Sequence, residues 1–511
     1  MASQLRPITL AAPGFFGLNT QESGITLASG FALEAKNCII DKFGRIGARK
    51  GWTPLSGTSV SMTGQVRAIA EHVESSGNLR ILFTADNKLW RLDGSDDPEE
   101  VLPQSGTAIN ITEDDWQIIS YNNKALFVQQ DHTMVYYDDT TGTYYELTAA
   151  PASTTPSCGA ACFNRVWVAD DYTVYWSKIL EPTTFTGTGT GYINIREVFG
   201  EDDKVTAVTQ YNNRLVIFGN RNIALFAGGE DPTGEGFRMV DHITGVGCIA
   251  RDSVQSIGTE VVFLAADGVR ALGRTIQETS APMRDISKNV RDDIVSFATS
   301  EPKTRIKSIY SPNDAFYLLS FPSANLTYVF DVRAPLQDGS FRVTQWTGIN
   351  PTAFALTRSN TLLLGQEGYV GQYGNYADNG TAYSLVYFTN YFDFDSPTTE
   401  KLLKKMRLAI LGGVGQVALL KYAFDYGTDY EFRQFNLSSG ETYEYNVDQY
   451  FSDDGDDNEA EYTSGQILDN ISINVGGRGA VMQIGIESTI NGGPLSIQKM
   501  DIFAKTGKLV T

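Results

Sequence analysis

Cysteine is scarce in this chain, with only Cys38, Cys158, Cys162 and Cys248 in 511 residues. Four are too few to staple a chain of this length, which excludes a disulfide framework. Cys158 and Cys162 enclose Gly159-Ala160-Ala161, but no second Cys/His pair stands near them in sequence. They read as small buried thiols and not as a metal site. Histidine is scarcer still: His72, His132 and His242. None has paired-ligand spacing or follows a nucleophile motif, and each falls in or beside an expected strand, so all three read as structural. Long apolar runs are also missing. The most apolar stretch, Leu408 to Leu420, holds three glycines and Gln416, too short and too polar to cross a bilayer. Met1 to Phe16 lacks the basic start and apolar run of a secretory signal. Positive charge is in deficit, since 40 Lys+Arg minus 60 Asp+Glu gives −20. A protein built to grip nucleic acid needs the opposite balance.

Signatures of chemistry are equally thin. Gly507-Lys508 is followed by Leu509 and lacks the upstream glycine of a phosphate-binding loop. Gly412 to Gly415 and Gly187 to Gly191 lack dinucleotide-fingerprint spacing and read as turns. With 60 acids, no carboxylate pair stands out for acid/base work. Asp454, Asp456 and Asn458 alternate like calcium ligands, but Glu459 stands where glycine is needed and Gly465 where the closing Glu belongs. That stretch reads as a solvated loop. No enzyme activity, cofactor or bound metal is expected.

What the sequence has is glycine and aromatics: 49 Gly, 25 Tyr and 27 Phe. That composition points to many strands joined by tight turns. A pattern recurs along the chain: a polar turn residue, an apolar strand, a short polar turn, a second apolar strand. Its copies open at 78, 123, 164, 213, 259, 314 and 360, at intervals of 45, 41, 49, 46, 55 and 46 residues. Each copy has the alternation and turn chemistry of a β-hairpin, and most follow another short strand such as Trp116 to Ile119. Three to four strands per ~45 residues is the period of a propeller blade. Residues 66–380 number 315, which at about 45 per blade gives seven, within a range of six to eight if one blade is split or closed from outside the window. The expected fold is therefore all-β: an irregular β-propeller over 66–380, preceded by an extended segment over 1–65. A C-terminal sandwich-like domain over 381–511 follows, where the period breaks but alternating strands continue. The first 65 residues are expected to pack on that domain or on a neighbouring subunit. One helical turn is expected near Ala32 to Lys36, and a short helix over Met283 to Asp293.

Two charged features are candidate interaction sites. Lys42, Arg45, Arg49 and Lys50 form a basic cluster in an acidic chain, read as a docking surface for an acidic neighbour or as a turn with local ion pairs. The region 425–463 is long, aromatic and acidic, with Asp453, Asp454, Asp456, Asp457, Glu459 and Glu461 at its centre.

Three motifs of the N-terminal segment stand in order: Gly14-Phe-Phe-Gly-Leu-Asn-Thr-Gln21, Ala35-Lys-Asn-Cys-Ile-Ile-Asp41 and Gly44-Arg-Ile-Gly-Ala-Arg-Lys-Gly-Trp52. Together they resemble the opening of tail nozzle proteins of short-tailed bacteriophages, also described as tail tube or phage stabilisation proteins. Tyr391 to Asp395 followed by Lys404 to Leu408 is similar to a strand pair of such proteins. The resemblance implies a virion protein, made in the host cytoplasm, that forms a sixfold ring at the distal end of the tail. Its implied partners are further copies of itself, an adaptor ring, fibres or spikes, and a tail plug or needle. Phage DNA would pass through without specific binding. Six copies would carry 6 × (−20) = −120 formal charges, and acidic walls repel phosphates, so a duplex slides rather than sticks. On this reading the basic cluster docks a subunit or the adaptor, and the loop at 425–463 narrows or contacts the distal opening. A glycan-binding or glycan-cleaving propeller is the alternative, because propellers often bind at their central mouth and Trp and Tyr offer stacking surfaces. The Ser-x-Asp-x-Gly-x-x-Trp turn of sialidase-like blades is absent. A solitary intracellular scaffold is a third reading, but it leaves 1–65 and 381–511 without a purpose.

Overall fold

A computed structural model describes residues 5–55, 62–92, 97–104, 111, 115–147, 155–258, 260–278, 286–413, 415–437 and 468–509. The acidic centre at 453–461 lies outside the described residues.

Tight turns organise the chain. At Asn122-Asn123 and Asn212-Asn213 both residues have positive φ, 45° and 62° in one and 45° and 60° in the other. That is the backbone of a two-residue hairpin whose twist matches its flanking strands, and Asn tolerates it where β-branched residues do not. Phe163-Asn164 adopts the same geometry at 53° and 57°. These turns join the first and second strands of successive units, and all seven repeat openings in the sequence stand just before a second strand. Those strands are Leu79–Ala85, Lys124–Val128, Arg165–Asp170, Arg214–Gly219, Glu260–Ala265, Phe316–Phe321 and Leu362–Gln366.

Around them the protein is an all-β propeller. Six units of four strands and one of three follow each other round the ring. The first strands of blades 1 to 7 are Ala68–Val73, Gln117–Tyr121, Cys158–Cys162, Val205–Tyr211, Gln255–Ile257, Lys307–Ser311 and Phe354–Leu356. Neighbouring first strands lie against one another, except that blade 4 meets the turn Arg251–Ser253 at the entrance to blade 5, and blade 7 returns to blade 1. Blade 5 has three strands and is followed by helix Leu272–Glu278, which packs on them. Blade 7 is completed by Gly51–Pro54, which pairs antiparallel with Tyr369–Gly374 as its outer strand. The N-terminal segment thus closes the ring, so that its last blade cannot peel away without unzipping residues that precede its first. Gly51 is required there, since a Cβ would meet the carbonyl oxygen of Ala377 at 2.0 Å. Neither backbone can give way, so Gly51→Ala is expected to cost about 1–3 kcal/mol by overpacking, read as a lower midpoint in urea unfolding.

The rest of the chain forms two sheets. One runs Leu468–Asn474, Thr399–Gly412, Leu495–Leu509, Ile46–Ala48, Cys38–Ile40, with Leu5–Ala11 also paired to Leu495–Leu509. The other continues blade 6. Its order passes from Lys307–Ser311, Phe316–Phe321, Leu326–Asp331 and Arg342–Thr347 through Gly17–Leu18 and Phe31–Lys36. It then reaches Tyr383–Thr389, Met482–Ile490, Val417–Phe424 and Glu431–Asn436, ten strands in one sheet. One hydrophobic core is common to both sheets and to blade 6, holding Leu408 and Met500, Leu420 and Ile486, and Tyr317 and Phe330 together. The sandwich-like platform is therefore joined to the propeller by backbone hydrogen bonds and by shared core.

The N-terminal segment makes that join. Gly17–Leu18 lies parallel between Arg342–Thr347 and Phe31–Lys36. Residues Ala32 to Lys36, expected as a helical turn, are a strand. Leu, Glu, Ala and Lys favour helix locally, but pairing with Tyr383–Thr389 and the burial of Ala32 and Ala35 override that preference. The helix expected over Met283 to Asp293 lies further along. Lys288–Val290 is a 3₁₀ turn leading into helix Arg291–Ser300, which buries Ile294 and Ala298 against the shared core. Residues 279–285 lie outside the described residues.

Candidate functional site

The basic cluster of the sequence does not form one surface. Arg49 is fully buried. Its guanidinium donates to both carboxylate oxygens of Asp378 at 2.7 Å, to the Asn37 Oδ1 at 3.1 Å and to the Lys50 carbonyl at 3.0 Å. It also stacks 3.9 Å from the ring centroid of Tyr383, whose hydroxyl donates to the Arg49 carbonyl. Arg45 is buried too, paired with Asp41 at 2.6 Å over the Phe43 ring. Lys50 reaches Asp314 at 3.3 Å, and Lys42 lies 5.0 Å from the centroid of Phe43. Exposed docking is thus corrected for Arg45 and Arg49, which are internal fasteners. A sequence cannot show Arg49 its partner, because Asp378 is 329 residues away.

Asn37 extends the fastening. It sits in the left-handed region at φ 53°. Its amide donates to the Ser384 carbonyl at 2.9 Å and to Thr347 Oγ1 at 3.1 Å, while its Oδ1 accepts from the Thr347 N–H at 2.8 Å. Buried Asn19 uses its Oδ1 to cap the N–H groups of Gln21 and Glu22 at 3.0 and 3.2 Å. Asn19, Asn37 and Arg49 come one from each of the three N-terminal motifs, and all three are buried at the seam between propeller and platform.

A second charged group sits at the propeller axis, where sequence reading singled out nothing. The short turn Arg251–Ser253 enters blade 5, Asp115 precedes the first strand of blade 2, and Lys307 opens that of blade 6. Arg251 donates to the Ser157 carbonyl at 2.7 Å, to the Asp115 carbonyl at 2.8 Å and to both oxygens of Asp252 at 3.0 Å. One side chain thereby ties blades 2, 3 and 5. Lys307 pairs with Asp252 at 2.7 Å and lies 3.9 Å from Asp115. The two cations hold the Asp252 carboxyl at about 2 despite the opposing effect of burial. Burial raises the Asp115 carboxyl. No local pattern marks these residues, because they are gathered only when the ring closes.

Above this cluster is a half-open cavity of about 390 Å³. Gln129, Lys303, Thr304 and Arg305 line it with Asp115 and Arg251, and Val205, Ile249 and Pro302 add apolar surface. Two buried acceptors lack hydrogen-bond partners, Asp115 Oδ1 and Gln129 Oε1. Such a cavity can bind a small polar ligand.

The remaining sequence candidates are dispersed. His72 lies between blades 1 and 2 with its Nδ1 2.9 Å from Ser120 Oγ. The His132 ring packs on Trp116, and the Nε2 of His242 is 3.1 Å from Asn222 Oδ1. All four cysteines are free and buried, and burial pushes Cys248 up to about 11 and Cys158 up to about 12. Among the described residues no group of three His, Cys, Asp or Glu is placed to hold a metal ion, and no helix is long and apolar enough to cross a membrane. Asp453, Asp454, Asp456, Asp457, Glu459 and Glu461 lie outside the described residues.

The fold defines the class of protein: an all-β propeller welded to a platform. Comparison with known proteins adds no particular family. No family model and no curated protein matches the chain. Among solved structures it is similar to a streptogramin B lyase, with 12% identity, a TM-score of 0.38, and 63% of this chain and 97% of that one covered. It is also similar to the extracellular domain of a hybrid two-component system from B. thetaiotaomicron, with 11% identity, a TM-score of 0.38, and 66% of this chain and 41% of that one covered.

Proposed function

We propose that the protein is a structural wall unit of a phage tail nozzle, assembling as a sixfold ring that docks on an adaptor, carries fibres or spikes and conducts the genome during ejection. The observation that carries this reading is the seam. The three motifs on which the nozzle resemblance rests supply Asn19, Asn37 and Arg49: Asn37 bonds Thr347 of blade 6 and Ser384 of the platform, Arg49 bonds Asn37 and Asp378, and Asn19 caps the turn after Gly17–Leu18, which lies within the ten-stranded sheet. A conduit wall must transmit load without a hinge, and shared sheet and shared core supply that stiffness. Arg251 bridges blades 2, 3 and 5 across the centre of one propeller, with Lys307 of blade 6 paired to Asp252 there, so a duplex has no path through a single chain. On the proposed function the conduit is the space enclosed by several copies, whose acidic character lets DNA slide.

The test is end-on electron microscopy of the purified protein and of detergent-treated particles that contain it. A sixfold ring with an axial channel of duplex width is expected. Isolated propeller-platform monomers, with no particle association, would overturn the reading.

A further inference from the structure

We propose that the half-open cavity at the axial mouth of the propeller binds an acidic saccharide, a sugar bearing hydroxyl groups and a carboxylate. This inference stands on the cavity alone and does not rest on the nozzle reading.

Three features select that chemistry. The first is the pair of unpartnered acceptors. Asp115 and Gln129 are more than nine-tenths buried, and one oxygen of each makes no hydrogen bond, that of Asp115 having only the Lys307 ammonium 3.9 Å away. A buried acceptor without a partner costs about 1–3 kcal/mol, which a ligand hydroxyl recovers by donating to it. The second is charge. The cavity and a smaller one that shares Arg251 with it are together lined by Arg67, Arg251, Lys303, Arg305 and Lys307 against Asp115 and Asp252. Five cations minus two carboxylates leave +3, in a chain whose total is −20. Arg251 is committed to Ser157, Asp115 and Asp252 and forms a fixed floor. Arg305 is not so committed. It is 45% exposed and only 4.0 Å from Asp115, so its fork remains able to take a carboxylate with two parallel bonds. Lys303 donates to the Ala298 carbonyl, and its ammonium is disfavoured by partial burial, a penalty that a bound anion relieves. The third is the apolar surface of Val205, Ile249 and Pro302, which suits the C–H face of a pyranose. Inorganic phosphate matches only the second feature: it offers Asp115 and Gln129 few donors and the apolar wall nothing.

The experiment is isothermal titration calorimetry of the full chain with hexuronic-acid oligosaccharides, their neutral counterparts and inorganic phosphate. The uronic-acid oligomer is expected to bind, and the neutral one at least about tenfold more weakly, the worth of one charge-assisted contact. Arg305→Ala, at an exposed position, is expected to weaken binding by about tenfold with an unchanged melting temperature. Gln129→Leu separates binding from folding. It removes an unpaired buried acceptor, so stability holds or rises, while affinity for the oligomer falls by about fivefold or more. The proposal is overturned if the uronic-acid oligomer does not bind, if the neutral sugar or phosphate binds as well, or if both variants keep full affinity.

Discussion

Arg49→Ala should cost about 3–5 kcal/mol of stability, the range for removing one partner of a buried ion pair. The size follows from what is left behind. Asp378 loses both of its 2.7 Å bonds to the guanidinium, Asn37 loses the donor at 3.1 Å on its Oδ1, and the Tyr383 ring loses the cation stacked on it. Water compensates little, because Arg49 is fully buried and the Asp378 side chain is only 15% exposed. Arg49→Lys should recover little, since an ammonium is a point charge and cannot bridge Asp378, Asn37 and the Lys50 carbonyl at once. Guanidinium unfolding of wild type, R49A, D378N and the double variant measures the effect as a cycle. The expected coupling between the two sites is large, so the double variant loses much less than the sum. Because propeller and platform share one core, wild type should unfold in a single transition and R49A in two, the seam yielding before the blades. An unchanged midpoint in R49A would mean that the pair contributes nothing net and that the core alone holds the seam.

The propeller was legible in the sequence because hairpin chemistry is local. An Asn-Asn pair before an apolar strand forces a tight turn whatever the rest of the chain does, and it does so at 122–123 and 212–213. Closure of the last blade by Gly51–Pro54 could be allowed for but not located, since its partner Tyr369–Gly374 stands some 300 residues on. Ala32 to Lys36 was misread for the opposite reason: its local preference is real, and a distant strand outweighs it. The basic cluster shows the limit most clearly. Lys and Arg are exposed in most settings, and nothing within 20 residues of Arg49 announces an Asp378 waiting to bury it. The axial group is less legible again. Asp115, Arg251 and Lys307 occupy the entrances to three different blades, so their meeting is a property of ring closure rather than of any segment.

Arg251→Ala is expected to be as damaging as the loss of Arg49, and its pH dependence identifies the cause. The axial guanidinium ties blades 2, 3 and 5 and neutralises Asp252, so its removal leaves a largely buried carboxylate, its side chain 17% exposed, facing Lys307 alone. A loss of about 3–5 kcal/mol at neutral pH is expected. In wild type the Asp252 carboxyl is held at about 2 against its ordinary 3.8. A depressed folded-state value means that stability is present above 3.8 and lost as pH falls through 2, worth about 2 kcal/mol at 1.36 kcal/mol per unit. Asp115 acts in the opposite sense, because burial raises its carboxyl and acid therefore relieves it. In R251A the Asp252 carboxyl rises, so protonation becomes a relief there as well. The gap between wild type and variant should narrow as the pH is lowered from 7 to 3. Asp252→Asn should flatten the acid limb of wild-type stability between about pH 4 and 2 by the same amount. Urea unfolding at pH 7, 4, 3 and 2 reads both effects as differences, in which the other acids of the chain cancel. A constant gap across that range would show that Arg251 stabilises the ring through its bonds to the Ser157 and Asp115 carbonyls, and that the charge on Asp252 is carried by Lys307.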